Sequence, residues 1–219
     1  MTDEQVYARS ERFMQLARAS GMPTKTSETH VLMNFLPCNG TRQAYQSAID
    51  FATDKREHHF ITFVGEPGRG KTHLALGIGW QWIGQYSGQS IDTVRYWQVS
   101  ELLDAMREEY NNPPKDQYGF PMRGELKTCE SAGLLILDDI GTEYHKRQYS
   151  NQDWAQSWVD ERLDTLVNHR WLEEKPTVFT TNLAPSQLQP RIRSRLKEGV
   201  VVTLEGPDYR ELKAKLRRR

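Results

Sequence analysis

The stretch from Phe60 to Gly77, FITFVGEPGRGKTHLALG, decides how the remainder of this chain is read. Its apolar start, Phe60, Ile61, Phe63 and Val64, reads as a buried strand, and Thr72 to Trp82 reads as a helix. Between them Gly65, Glu66, Pro67, Gly68, Arg69, Gly70, Lys71 and Thr72 satisfy the phosphate-loop pattern G-x-x-x-x-G-K-[ST]. The glycines can take positive φ and carry no Cβ, so consecutive N–H groups can turn inward around phosphate oxygens. The helix that follows directs its N-terminus at the same anion. Lys71 is expected on the β and γ phosphates, and the Thr72 hydroxyl on the Mg²⁺ that neutralises them. His73 closes the run assigned to the nucleotide.

Downstream, Leu134-Leu135-Ile136-Leu137 followed by Asp138-Asp139 is a second matching motif. Four aliphatics suit a central parallel strand covered on both faces. Such a strand delivers its acids to the carboxyl end, where ligands bind in open α/β sheets. Asp138 is expected to hold Mg²⁺ through water, and Asp139 to orient or deprotonate the attacking water, with Glu143 in reserve. The shorter Asp at the second position implies slow hydrolysis or a nucleotide switch. Thr180-Thr181-Asn182 ends another apolar run, and Asn182 either reaches the γ-phosphate or caps a turn before Ala184-Pro185. In Arg191-Ile192-Arg193-Ser194-Arg195-Leu196, a helix would put Arg191 and Arg195 on one face, toward a common anion.

Length and composition bound the rest. The 219 residues suffice for one sizeable α/β core, with room for a small appendage. Lys+Arg and Asp+Glu are equal at 29 each, so the overall charge does not argue for a polyanionic partner, and local distribution decides. Cys38 and Cys129 lack metal-ligand spacing and read as unpaired thiols of a reducing compartment, without structural zinc. With no apolar run long enough to span a membrane and no signal-like start, a cytoplasmic location is expected.

Read in order, residues 3–20 form a charged helix stopped by Gly21 and Pro23, either docking a partner or packing on its own domain. An irregular lead-in follows, anchored by Phe35 and Leu36, then a helix over 41–56. Strands are expected at 93–97, 133–137, 177–181 and 200–204, helices at 101–110, with Ser100 as N-cap, and 151–171. Residues 111–122, with Pro113, Pro114, Gly119 and Pro121, read as a functional or mobile loop. Alternating strands and helices predict a mostly parallel five-stranded sheet flanked by helices.

The ordered pieces SGMP, NFLP, GEPGRGKTHLALGI, VRYWQVSELLDAM, LLILDDIGTE, LVNHRW, KPTVFTTNL, RIRSRL and GPDYR resemble the DnaC/DnaI-type helicase loaders of the AAA+ superfamily. They are also similar to the IstB transposition ATPases. The resemblance implies a P-loop core without a large C-terminal lid, with 1–40 as a short helical extension and 41–219 as the ATPase domain with a basic tail. It implies ATP and Mg²⁺ as cofactors, Asn182 as sensor 1, Arg195 as an arginine finger with Arg191 beside it, and Arg210 near a sensor 2 position. It also implies head-to-tail self-association through the nucleotide sites, single-stranded DNA in a central channel, and a hexameric replicative helicase as partner. DNA contacts are then expected from Arg107, Lys115 and Arg123, with Tyr110, Tyr118 or Phe120 stacking on bases. The basic end, Lys213 to Arg219, would add phosphate contacts or remain solvated. The alternatives are an IstB-like assembly on duplex DNA and an ATP-gated adaptor with little turnover.

Overall fold

The computed structural model describes residues 3–53, 55, 57–86, 94–119, 122, 124–141 and 153–210, with the backbone alone for 3–10, 153–157 and 159–160. Five strands, β1 Phe60–Val64, β2 Val94–Gln98, β3 Leu134–Asp138, β4 Thr177–Thr181 and β5 Val200–Thr203, form one sheet. All its pairings are parallel, in the order β2-β3-β4-β1-β5. β4 lies between β1 and β3, so the segments leaving β1, β3 and β4 emerge side by side at the carboxyl ends of the central strands.

Helices cover both faces because strand side chains alternate. On one face Ile61, Phe63, Leu134, Ile136, Val178 and Val202 pack with α1 Asp3–Ala19, α2 Arg42–Ala52 and α3 Lys71–Tyr86. On the other, Phe60, Leu135, Leu137 and Phe179 meet α4 Val99–Asn111, α5 Glu125–Ser131, α6 Asp153–Leu172 and α7 Pro190–Lys197. The period of α2 shows why it is a helix: Ala44, Ala48, Phe51 and Ala52 recur at helical spacing and are its buried residues.

The C-terminal half of α1 packs on its own domain. Leu16 and Ala17 are buried in the first core cluster, and Phe13 meets Trp80 of α3 at 5.8 Å between ring centroids. Beyond it, the Ser20 carbonyl accepts the Tyr96 N–H at 2.8 Å, and Arg95 donates to the Ala19 carbonyl. The end of α1 is thereby tied to β2.

Several boundaries differ from the sequence reading. α4 begins at Val99 with Gln98 as its N-cap, so Ser100 lies inside the first turn; buried Val99 is drawn into the core and starts the helix earlier. α2 stops at Ala52. Helix α5 was not expected, because its short sequence, ELKTCES, shows little periodicity; Cys129 and Glu130 are its buried residues. Glu143 and the stretch 142–150, together with Phe120, Arg123 and residues 211–219, lie outside the described residues. Both described cysteines are free thiols, and burial pushes the Cys129 thiol up to about 12.

A fully buried arginine joins the second layer to the sheet. The Arg170 guanidinium donates to the carbonyls of Cys129 at 2.8 Å, Ala132 at 2.9 Å and Pro176 at 2.6 Å, and to the Thr177 hydroxyl at 2.8 Å. Burial pushes its pKa down to about 9, which leaves it charged at neutral pH. Replacing it with leucine would strip donors from several buried acceptors at once. Arg170→Leu is expected to lower unfolding free energy by about 3–5 kcal/mol, measured by urea denaturation.

Candidate nucleotide site

The phosphate loop takes the shape its glycines permit. Gly68 and Gly70 have φ of 80° and 95°, and each is closely approached. A Cβ on Gly70 would stand 2.7 Å from the Phe35 ring, and one on Gly68 would collide with the Asp208 carboxyl. The loop carbonyls of Gly65 and Glu66 accept from Lys71 Nζ at 2.7 and 2.9 Å, holding the ammonium inside the loop. Burial lowers the Lys71 pKa, while Asp139 and Asp138 act in the opposite sense; the Arg210 and Arg69 charges lower it further. Helix α3 begins at Lys71, so its N-terminal turn carries the N–H groups suited to an anion.

Asp138, the last residue of β3, is buried and surrounded by hydroxyls. Thr72 Oγ1 donates to its carboxylate, 3.0 and 3.2 Å from the two oxygens. Thr180 Oγ1 donates to Oδ1 at 2.6 Å, and the Tyr96 hydroxyl to Oδ2 at 3.0 Å. Burial, reinforced by the Asp138 charge and hydrogen bond, pushes the Tyr96 pKa upward, so this phenol is a neutral donor. The hydroxyl and carboxylate oxygens of Thr72 and Asp138 are the hard donors that Mg²⁺ prefers.

Asp139 departs from regular backbone, with φ of 62°. Asp tolerates this left-handed region better than most residues, and such strain persists only where its surroundings fix it. Here the Asp139 N–H donates to Thr180 Oγ1 at 2.8 Å, and the next N–H, of Ile140, to the Thr180 carbonyl at 2.8 Å. Asn182 Nδ2 donates to Asp139 Oδ1 at 2.8 Å, so the residue expected to sense phosphate is linked to the carboxylate expected to act on water.

Lys71, Thr72, Asp138, Asp139 and Asn182 are thus brought together at the strand ends. Arg210 also lies on this side: the Tyr209 N–H donates to the Gly68 carbonyl at 3.0 Å, and the Arg210 charge acts on Lys71. Glu66 and Arg69 pair with one another at 2.7 Å, with the Glu66 side chain largely exposed. The His73 side chain is turned to the lead-in, its Nε2 3.0 Å from the Val31 carbonyl and its ring beside His30 and Phe35.

The arginines of α7 are engaged within the chain. Arg195 lies 3.8 Å over the Trp171 ring and donates to Asn168 at 3.0 Å and Glu198 at 3.1 Å, while Arg191 pairs with Asp164 at 3.2 Å. Because α7 leads from the end of β4 back to the start of β5, Arg195 in its last turn lies toward the start of β5, and its contacts are with Trp171, Asn168 and Glu198. Arg107 pairs with Asp104 and sits 5.8 Å from the Trp158 ring, whereas Tyr110 and Tyr118 are exposed at 72% and 76%.

Sequence reasoning missed Tyr96 and Thr180 as partners of Asp138. Register supplies the signal: Tyr96 is paired with Ile136, two residues before Asp138 and therefore on the same face of the sheet. The neighbouring strand's Thr180 also faces that carboxylate.

A phosphate loop after β1, a buried acid ending β3 and an amide after the intervening β4 define an ATPase domain of the AAA+ class. The chain matches the bacterial DnaA ATPase domain over residues 26–203 and belongs to that family. It is 27% identical over 199 residues to the chromosomal replication initiator protein DnaA of Lactobacillus helveticus, covering 89% of this chain and 39% of that protein. It is 25% identical over 134 residues to the replicative helicase loader DnaI of Bacillus subtilis, covering 59% of this chain and 39% of the loader. The solved structure of the replication initiator DnaA bound to AMPPCP and single-stranded DNA has a TM-score of 0.64 at 22% identity, covering 87% of this chain and 55% of that one. The expected AAA+ class thus stands, and within it the matching family is the DnaA ATPase domain, while similarity to the loader DnaI extends over part of the chain. The chain spans about two fifths of the length of these curated relatives. Among the described residues no helix is long and apolar enough to cross a membrane.

Thr180 serves both acids, so Thr180→Val tests the arrangement. It is expected to cost about 1–3 kcal/mol of stability, because the Asp139 N–H and an Asp138 oxygen each lose a partner. Urea denaturation of the two proteins measures it.

Proposed function

We propose that this protein binds ATP with Mg²⁺, hydrolyses it slowly, assembles head to tail through its nucleotide sites, and helps place a ring-shaped replicative helicase on single-stranded DNA. The convergence of Lys71, Thr72, Asp138, Asp139 and Asn182 at the strand ends supports the nucleotide part of this reading. In it Lys71 neutralises the β and γ phosphates, and Thr72 and Asp138 hold the metal and its waters. The metal supplies charge neutralisation on the phosphates. Asp139 accepts hydrogen bonds from the attacking water, and Asn182 fixes the orientation of that carboxylate. Arg191 and Arg195 belong to the surface presented to the next protomer, where Arg195 exchanges its Trp171, Asn168 and Glu198 contacts for a neighbour's γ-phosphate. Arg210 approaches the same phosphates from the C-terminal side of its own loop.

Similarity to the loader DnaI supports the helicase as partner, and the DnaA structure bound to AMPPCP and single-stranded DNA supports that nucleic acid. The exposed rings of Tyr110 and Tyr118 are available for stacking, with Lys115 exposed between them. A second reading is an initiator-type assembly that acts on DNA without handling a helicase, favoured by the family match itself.

Mixing the protein with the candidate replicative helicase, with and without ATP, separates the two. The loader reading expects a complex by size-exclusion chromatography; strand separation by the protein alone, with no complex, would select the second. Lys71→Ala is expected to abolish nucleotide binding in a fluorescent-nucleotide titration. Arg195→Ala is expected to retain binding and lose the stimulation of phosphate release that accompanies self-assembly.

A further inference from the structure

Asp138 has a third hydroxyl partner that the phosphate-loop chemistry does not supply. The Tyr96 ring is half-buried against the α3-side core, and its hydroxyl donates to Asp138 Oδ2 at 3.0 Å. Its base is fixed from the other side. The Tyr96 N–H donates to the Ser20 carbonyl at 2.8 Å, and Gly21 packs so close to the Tyr96 carbonyl that a Cβ there would stand 2.8 Å from it. The tyrosine is thus anchored through its backbone to the end of α1 and through its hydroxyl to the carboxylate.

The division of labour at Asp138 follows from atom positions. Thr180 occupies Oδ1 at 2.6 Å and also accepts from the Asp139 N–H, so it serves two residues at once. Thr72 reaches both oxygens, but its hydroxyl is the one assigned to the metal. Tyr96 is left as the donor that fixes Oδ2 whatever Thr72 is doing. A carboxylate pinned at one oxygen alone retains rotational freedom about Cβ–Cγ, and a metal's water then meets a mobile acceptor.

We infer that Tyr96 is a positioning residue for the Asp138 carboxylate, holding Oδ2 so that Thr72 and Asp138 present a fixed oxygen pair to Mg²⁺. The inference rests on the proposed nucleotide site and adds to it a residue outside the phosphate loop and the β3 acids. Ordering partners of a metal site typically contribute tenfold or more in metal affinity. The effect on metal-dependent binding is separable from any cost to the fold, because the ring's packing is kept and a purely structural loss would weaken binding alike with and without Mg²⁺.

The test uses the full chain and its Tyr96→Phe variant. A fluorescent ATP analogue is titrated into each at a series of Mg²⁺ concentrations and in EDTA, and thermal unfolding is followed in parallel. The expected result is about a tenfold rise in the Mg²⁺ concentration needed for half-maximal tightening in the variant. Binding in EDTA stays at the unmodified protein's value, and turnover recovers at saturating Mg²⁺. Identical Mg²⁺ dependence in the two proteins overturns the positioning role. Equal weakening of binding with and without Mg²⁺, together with a lower melting temperature, also overturns it by showing a structural contribution alone. If the unmodified protein binds the analogue without any response to Mg²⁺, the proposed site fails, and this inference with it.

Discussion

A carboxylate taken out of water must be given hydrogen-bond donors, and the arrangement around Asp138 is organised by that requirement. Its oxygens collect hydroxyls from three separate elements: Thr72 at the start of α3, Thr180 near the end of β4 and Tyr96 on β2. Hydroxyl donors satisfy its oxygens without setting a second formal charge against them. The buried Lys71 ammonium is held instead by the loop carbonyls of Gly65 and Glu66. Ion pairing directly with Lys71 would have tied up the two charges needed for phosphate and metal.

Sheet order makes those donors available. With β4 inserted between β1 and β3, the segment leaving β1 becomes the phosphate loop, β3 ends on Asp138 with Asp139 just beyond it, and β4 carries Thr180 near its end with Asn182 following. β2 lies beyond β3, and its register brings Tyr96 to the α3 face, two positions ahead of the acid. The end of α1 is joined to β2 through Ser20 and Ala19, while its apolar residues join the same core as α3. Segments far apart in sequence thus meet at one buried carboxylate.

What was legible in the sequence had strong local signals. The apolar run Leu134 to Leu137 suits a covered strand, and the glycines of G-E-P-G-R-G-K-T suit the conformation of a phosphate loop. The strand spans were accordingly read to within a residue. Less legible were features decided by long-range contact. Ser100 has the chemistry of a cap, yet burial of Val99 starts α4 one residue before it. The half-apolar stripe of α1 was compatible with a free or a packed helix, and only the Phe13–Trp80 contact and the burial of Leu16 distinguish them. Tyr96 looks like any strand aromatic until its register against β3 is known. Family was legible only at the level of AAA+, since the loop and acid motifs are shared across that class, whereas membership of the DnaA ATPase family rests on similarity across residues 26–203.

Two arginines in the second helical layer show how sequence chemistry underdetermines role. Arg170 and Arg195 both make several polar contacts, and Arg195 also stacks on an aromatic ring. Arg170 is fully buried, and its donors are committed to four backbone carbonyls and a hydroxyl. Withdrawing it would leave those acceptors unpaired in a dry layer, so its charge is fixed where it stands. Arg195 retains 30% side-chain exposure, and its partners are a surface carboxylate, an amide and the face of Trp171. Contacts of that kind near solvent are weak enough to be exchanged, because water can replace each of them when the guanidinium leaves. What each would leave behind therefore separates a cation fixed in the fold from one whose contacts can be exchanged.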